Sequence, residues 1–201
     1  MLVWMALSFL VLGPAGDDGL EPPLQFVLQV DGQNHPIVVG EPSQIKGTFS
    51  NPTILLKAAS LRHFPYGGVE FDYPANFSWE AEIDGSDRTW TLSGNDFKII
   101  YFVMSEALTL DEYVEAIREQ FGDDKIQVTF KERAMGSLTV KGQRLKATLA
   151  GIPFFMEVYL LPTQKGTRLL VFQDFPGEGT QSSPEGDKTF KMFSASFKNT
   201  L

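Results

Sequence analysis

The sequence predicts an α+β fold: a largely antiparallel sheet flanked by helices, with an amino-terminal β meander added to it. Three observations carry this reading. Short apolar or alternating runs dominate the chain, tight-turn residues separate them without room for crossover helices, and only two stretches repeat apolar residues at helical spacing.

The meander comes first. Residues 24–30 are β-branched and aromatic with partial alternation, and Asp31-Gly32 supplies a tight turn before Ile37-Val38-Val39, which together predict a hairpin. Strand-like runs come next at residues 44–49 and 53–61, punctuated by Gly40-Glu41-Pro42 and Asn51-Pro52. A unit this small is expected to pack on the remainder of the chain.

Further on, residues 69–73 and 77–83 flank Pro74, and Asp84-Gly85-Ser86-Asp87 turns the chain into residues 88–92. Residues 97–104 are nearly continuously apolar, as a central strand covered on both faces requires. Thr109 and Glu112 then form a capping-box pattern. Behind it Leu110, Tyr113, Val114, Ile117 and Phe121 recur at helical spacing up to Gly122. Strands are predicted again at residues 126–130, 137–140, 145–150 and 154–161, and the turn at 163–166 joins the last of these to 168–175 as an antiparallel pair. Residues 176–186 read as a Gly, Ser and Pro-rich loop, and 187–197 as a helix with Phe190, Phe193 and Phe197 on one side.

The segment Val69-Glu70-Phe71-Asp72-Tyr73-Pro74, the strand at 97–104, the helix opening at Thr109-Leu110-Asp111-Glu112-Tyr113, the hairpin over 154–175 and the closing Ser196-Phe197-Lys198 together resemble the Mog1/PsbP-like superfamily. The likeness covers residues 64–199 and rests on the order of elements and two short motifs, aromatic-x-Tyr-Pro and Ser-Phe-Lys. It implies an antiparallel sheet sandwiched by helices. It also implies an adaptor or accessory role, as in the photosystem II accessory proteins, the Ran-binding protein and the exported bacterial lipoproteins of that group. The amino-terminal meander and the lack of a lipid-accepting cysteine depart from the pattern.

Residues 2–12 form an almost uninterrupted apolar run, trailed by Gly13-Pro14-Ala15-Gly16 and Asp17-Asp18. This is the composition of a secretory signal with its cleavage region, and it is too short for a helix that spans a bilayer. No Lys or Arg precedes the run, and a buried amino-terminal segment is the alternative. The expected organisation is therefore a signal segment at residues 1–15, a β meander at 16–63 and an α+β domain at 64–201. The expected location is extracytoplasmic, periplasmic or secreted, with no integral membrane span in the mature protein.

The chain has no cysteine, which excludes thiol nucleophiles, Cys-based zinc sites and Fe–S clusters. With a net charge of −8 and no local concentration of Lys and Arg, nucleic acid is not an expected partner. Residues 1–15 are uncharged, so the whole excess lies in the mature domain and biases it towards basic or neutral partners.

His35 and His63 lack metal-ligand or protease spacing and read as a turn residue and a partly packed one. Asp84, Ser86 and Asp87, and the pairs Asp17-Asp18 and Asp123-Asp124, do not fit a calcium-loop pattern. There is no G-x-S-x-G, and Ser93 and Ser137 sit in turn contexts. Asn76-Phe77-Ser78 matches a glycosylation acceptor. Tyr73, Phe77, Trp79 and Trp90 are the candidates for an aromatic ligand groove, against which stands the reading that they are core faces of strands.

No catalytic residue, cofactor or metal is assigned. The expected function is that of an exported, noncatalytic accessory or binding protein acting on another protein or an envelope component. The alternative is a small-ligand-binding domain or hydrolase whose site is assembled only in the fold.

Overall fold

A computed structural model describes residues 20–122, 125–149, 151–177 and 181–200. The expected signal segment, Asp17-Asp18 and Asp123-Asp124 lie outside the described residues, as does part of the expected loop at 176–186. The architecture is α+β and almost wholly antiparallel. Three strands, β1 (Gln25–Val30), β2 (Gln33–Val38) and β3 (Ile54–Ala58), form a small sheet in the order β2-β1-β3.

A seven-stranded sheet makes the centre, with strands β6 (Ser78–Asp84), β7 (Asp87–Ser93), β8 (Phe97–Met104), β9 (Gln127–Met135), β10 (Leu138–Leu149), β11 (Ile152–Leu160) and β12 (Thr167–Asp174) in the order β6-β7-β8-β12-β11-β10-β9. It consists of two meanders that meet at the β8–β12 pair, connected through helix α1 (Leu110–Phe121). A third sheet, in the order β13-β5-β4, contains β4 (Leu61–Phe64), β5 (Val69–Pro74) and the short β13 (Lys198–Asn199) after helix α2 (Pro184–Ser196).

Strand alternation divides the core in two. Phe97, Ile99 and Tyr101 of β8 and Leu170 and Phe172 of β12 point to a cluster that includes Phe71, Phe193 and Phe197. Their neighbours Ile100 and Phe102, with Leu169 and Val171, point the other way, to Tyr113, Val114 and Ile117 of α1. The sheet is thus covered by α1 on one face, and by α2 with the β4–β5–β13 sheet on the other. That explains why β8 and β12 are nearly continuous apolar runs.

The capping box forms as the sequence predicts. Glu112 N–H donates to Thr109 Oγ1 at 3.2 Å, and Thr109 N–H donates back to Glu112 Oε2 at 2.8 Å. The helix stops at Gly122, whose N–H donates to the Arg118 carbonyl at 2.8 Å.

Four expectations change. Residues 44–49 form no strand: Ile45 is flanked by exposed polar residues, and the Phe49 ring folds back over Gly47. The run at 53–61 ends at Ala58, and Leu61 already belongs to β4 in a different sheet. The two short strands at 137–140 and 145–150 are one strand, β10. Gly142, in its middle, is covered by the Tyr159 ring, which lies 2.5 Å from where a Cβ would stand. Helix α2 begins at Pro184, three residues before the expected start, because Ser183 caps it and accepts from Gly186 N–H at 2.8 Å.

The segment at Leu20–Pro22 ties the amino terminus to the main body. Leu20 packs on the first core cluster, and Arg62 donates to Glu21 Oε1 at 3.1 Å and to the Pro22 carbonyl. Residues of β1, β2 and β3 belong to neither core cluster.

Candidate functional site

The four aromatics expected to form a groove come together in the first core cluster. Tyr73, Phe77 and Trp90 are buried, and Trp90 stacks between Tyr66 and Tyr101 with centroids 5.8 and 5.9 Å away. Trp79 is half-buried, and its indole N–H donates to Glu21 Oε1 at 3.1 Å. Tyr66 OH donates to the Glu21 carbonyl at 2.6 Å, so residues 20–22 lie across this group. Burial pushes the Tyr73 hydroxyl up to about 12. These side chains are a packed interior face, and none of them lines the cavity beneath α2.

That cavity, of about 320 Å³, lies between α2 and the face of the seven-stranded sheet that α2 covers. Strand register builds it. Arg144 of β10 is directly opposite Glu157 of β11, and Glu157 is opposite Phe172 of β12, so all three point to the same face. Lys131 and Arg133 join them from the edge strand β9, two residues apart and therefore on one side. Phe155 and Phe190 complete the walls.

Glu157 is the centre of the arrangement and is only 5% exposed. Arg133 binds it with both prongs, Nε to Oε2 at 2.9 Å and Nη2 to Oε1 at 3.0 Å, while Tyr159 OH donates to Oε2 at 2.7 Å. Arg144 Nε lies 3.7 Å and Lys131 Nζ 4.0 Å from Oε1. Burial acts to raise the Glu157 carboxyl. The hydrogen bonds from Arg133 and Tyr159, with the charges of Arg133 and Lys131, outweigh it and hold the group below the usual carboxylate range. Burial and the adjacent carboxylate push the Tyr159 hydroxyl up.

Each arginine also covers a ring: Arg133 stands 4.3 Å from the Phe190 centroid and Arg144 3.8 Å from that of Phe155. Arg144 Nη2 donates to the Gln181 carbonyl, whereas its buried Nε has no hydrogen-bond acceptor. At the opposite end both Asp174 oxygens accept from Ser183 N–H, at 3.2 and 3.1 Å, which fastens the start of α2 to the sheet.

Sequence reasoning passed over this group, although one signal was present. Glu157 is the sole acid in the apolar run at residues 152–161, and a carboxylate in such a strand requires cationic partners from its neighbours.

The remaining polar candidates lie apart from this group. His63 Nδ1 is 2.9 Å from Asp72 Oδ1 and its Nε2 is 3.9 Å from Glu70 Oε2, so both ring nitrogens face carboxylates. Ser196 Oγ, which accepts from Asp72 N–H at 2.8 Å, lies 3.1 Å from the Met192 carbonyl, within hydrogen-bond reach for its own O–H. His35, which the sequence suggests is a turn residue, lies instead within β2, opposite Leu28, because the turn is confined to Asp31-Gly32. Asp87 accepts from the N–H and the hydroxyl of Ser105, both at 2.8 Å, and these bonds hold its carboxyl below the usual range. Asn76 is exposed in the turn before β6. No cluster of three or more His, Asp or Glu able to hold a metal occurs among the described residues.

A second surface stands out. In β3, Ile54, Leu55 and Leu56 are all exposed, Ile54 by 62% and Leu56 by 58%. Register places Ile54 beside Val30 and Leu56 beside Leu28, on the side that also carries Phe26 and Ile37. β3 is an outer strand of its sheet. Among the described residues no helix is long and apolar enough to cross a membrane. No protein-family model matches the chain, and no curated protein matches it.

Proposed function

We propose that the protein is an exported, noncatalytic accessory or binding protein that works by contact with another protein or an envelope component. The observation that carries this reading is the outer strand β3, with Ile54, Leu55 and Leu56 in the open. Exposed apolar side chains on both faces of an outer strand, Ile54 and Leu56 on one and Leu55 on the other, are a liability for a free monomer, and natural proteins usually blunt such edges with charge or cover. Here a partner supplies the cover by adding an extended segment to β3 and seating apolar side chains against Leu28, Ile54 and Leu56.

The polar geometry favours binding over catalysis. The most deeply buried acid of the cavity, Glu157, is held ionised by a two-pronged arginine bond and a tyrosine hydroxyl, which makes it a weak proton acceptor. The layered α+β arrangement is of the kind that the Mog1/PsbP-like resemblance implies, and the accessory roles of that group support the same reading.

The test is capture from an envelope fraction with the wild-type chain and with Ile54→Lys/Leu56→Lys, and then a binding titration with the purified captured protein. The expected result is saturable binding that the double variant loses while its melting temperature is unchanged. Equal binding by both forms, or turnover of an ester or glycoside substrate that is abolished by a cavity substitution, overturns the reading. Export is tested separately by mass analysis of the amino terminus of protein recovered from the envelope. A chain that starts at Met1 and is found only in the cytosolic fraction overturns that part.

A further inference from the structure

We propose that the cavity beneath α2 is a binding site for a small planar anion, a compound of one or two flat apolar rings bearing a single carboxylate or comparable anionic group. Charge is the first ground. Within 4.0 Å of the Glu157 carboxylate stand three cations, Arg133 and Arg144 in the cavity wall and Lys131 beside it, so the group around Glu157 carries an excess of two positive charges in a chain whose net charge is −8. Arg133 and Tyr159 by themselves satisfy Glu157. Arg144 is therefore surplus to the structural ion pair.

Its hydrogen bonding points the same way. Arg144 Nη2 is bound to a backbone carbonyl, and its buried Nε donates to no acceptor. The Arg144 guanidinium, whose side chain stays 17% exposed, thus has donor capacity that its protein partners do not use, and an anion seated against it adds a charge-assisted bond. At the far end Asp174 and Asp187 are set against the positive start of α2 and Lys191, one helical turn from Asp187, so the opposing charge there is smaller than the positive excess around Glu157.

The walls set the shape. Phe97, Phe155, Phe172 and Phe190 line the cavity, and guanidinium planes lie over two of these rings. Flat surfaces of this kind favour an aromatic or conjugated body by stacking. The volume is at the lower end for ligand pockets, which limits the body to one or two rings. This site is independent of β3.

The test uses the full chain, with naphthoate and its neutral isostere naphthamide as probes, titrated by calorimetry and by amide shifts in NMR. Naphthoate is expected to bind saturably with one site per chain, about tenfold tighter than naphthamide, the difference a single charge-assisted bond supplies. The shifts should centre on the amides of Arg144, Phe155 and Phe190. Arg144→Gln should bring the two probes to the same affinity, and Phe155→Ala should weaken both. Equal affinities in the wild-type chain, no saturable binding, or shifts centred on β1 to β3 overturn the proposal. The comparison of the two probes on the wild-type chain decides the matter even if a variant fails to fold.

Discussion

In β12, Leu169, Leu170 and Val171 are completely buried, whereas in β3 the equally apolar Ile54, Leu55 and Leu56 are all exposed. The difference comes from what surrounds each strand. β12 lies between β8 and β11, with α1 on one face and α2 and the β4–β5–β13 sheet on the other. β3 is an outer strand of a three-stranded sheet that shares no core cluster with the rest of the molecule. An apolar run of three is therefore a statement of what a strand needs and not of whether this chain alone supplies it.

The largest expected effect tests the covered region at its most polar point. Glu157→Ala leaves Arg133 half-buried without the carboxylate it grips with both prongs, and breaking such a pair typically costs about 3–5 kcal/mol. Denaturant unfolding of the two proteins checks this. The same group predicts a pH dependence. Its folded-state pKa is depressed, so between that value and the unfolded one the unfolded chain binds more protons, and stability rises with pH. The contribution is complete above about pH 5 and is lost as the pH falls through the folded value. Glu157→Gln should remove this part of the acid sensitivity, and an unchanged acid limb would show that the carboxylate is not coupled to folding.

Leu170→Ala, at a fully buried position of β12, is expected to cost about 2–5 kcal/mol through lost burial and the cavity left behind. Thr109→Ala should cost about 0.5–2 kcal/mol, because it removes the acceptor for Glu112 N–H and one half of the capping box. Both are read from the midpoint of chemical denaturation.

The contrast between the regions also explains what was legible in the sequence. Strands of the central sheet could be read because their alternation and the turns between them are local. So could α1, whose cap and apolar stripe lie within one stretch of chain. The start of α2 was missed because Ser183-Pro184 is embedded in residues that also favour loops, and only the bond between Asp174 and Ser183 N–H shows which role they take. Of the cavity only its centre was legible, as a lone acid in the apolar run at 152–161: Lys131, Arg133, Arg144 and Glu157 come from three strands, and register alone puts them together. Residues 44–49 show the opposite failure, a local strand pattern that pairs with no strand.

The smallest expected effect is the most discriminating. Leu56→Ala removes the same atoms as Leu170→Ala, yet Leu56 keeps most of its surface in water in the folded chain, so its truncation should change stability by no more than about 0.5 kcal/mol. Measured side by side, the two leucines separate what the chain needs in order to fold from what its surface offers to a partner. A cost at Leu56 approaching that at Leu170 would mean that the apolar side of β1 to β3 is already covered within the free protein, and strand addition to β3 would lose its foundation. A negligible cost, together with lost partner binding in the Ile54→Lys/Leu56→Lys chain, would place the energetic role of this sheet in the complex and not in the monomer.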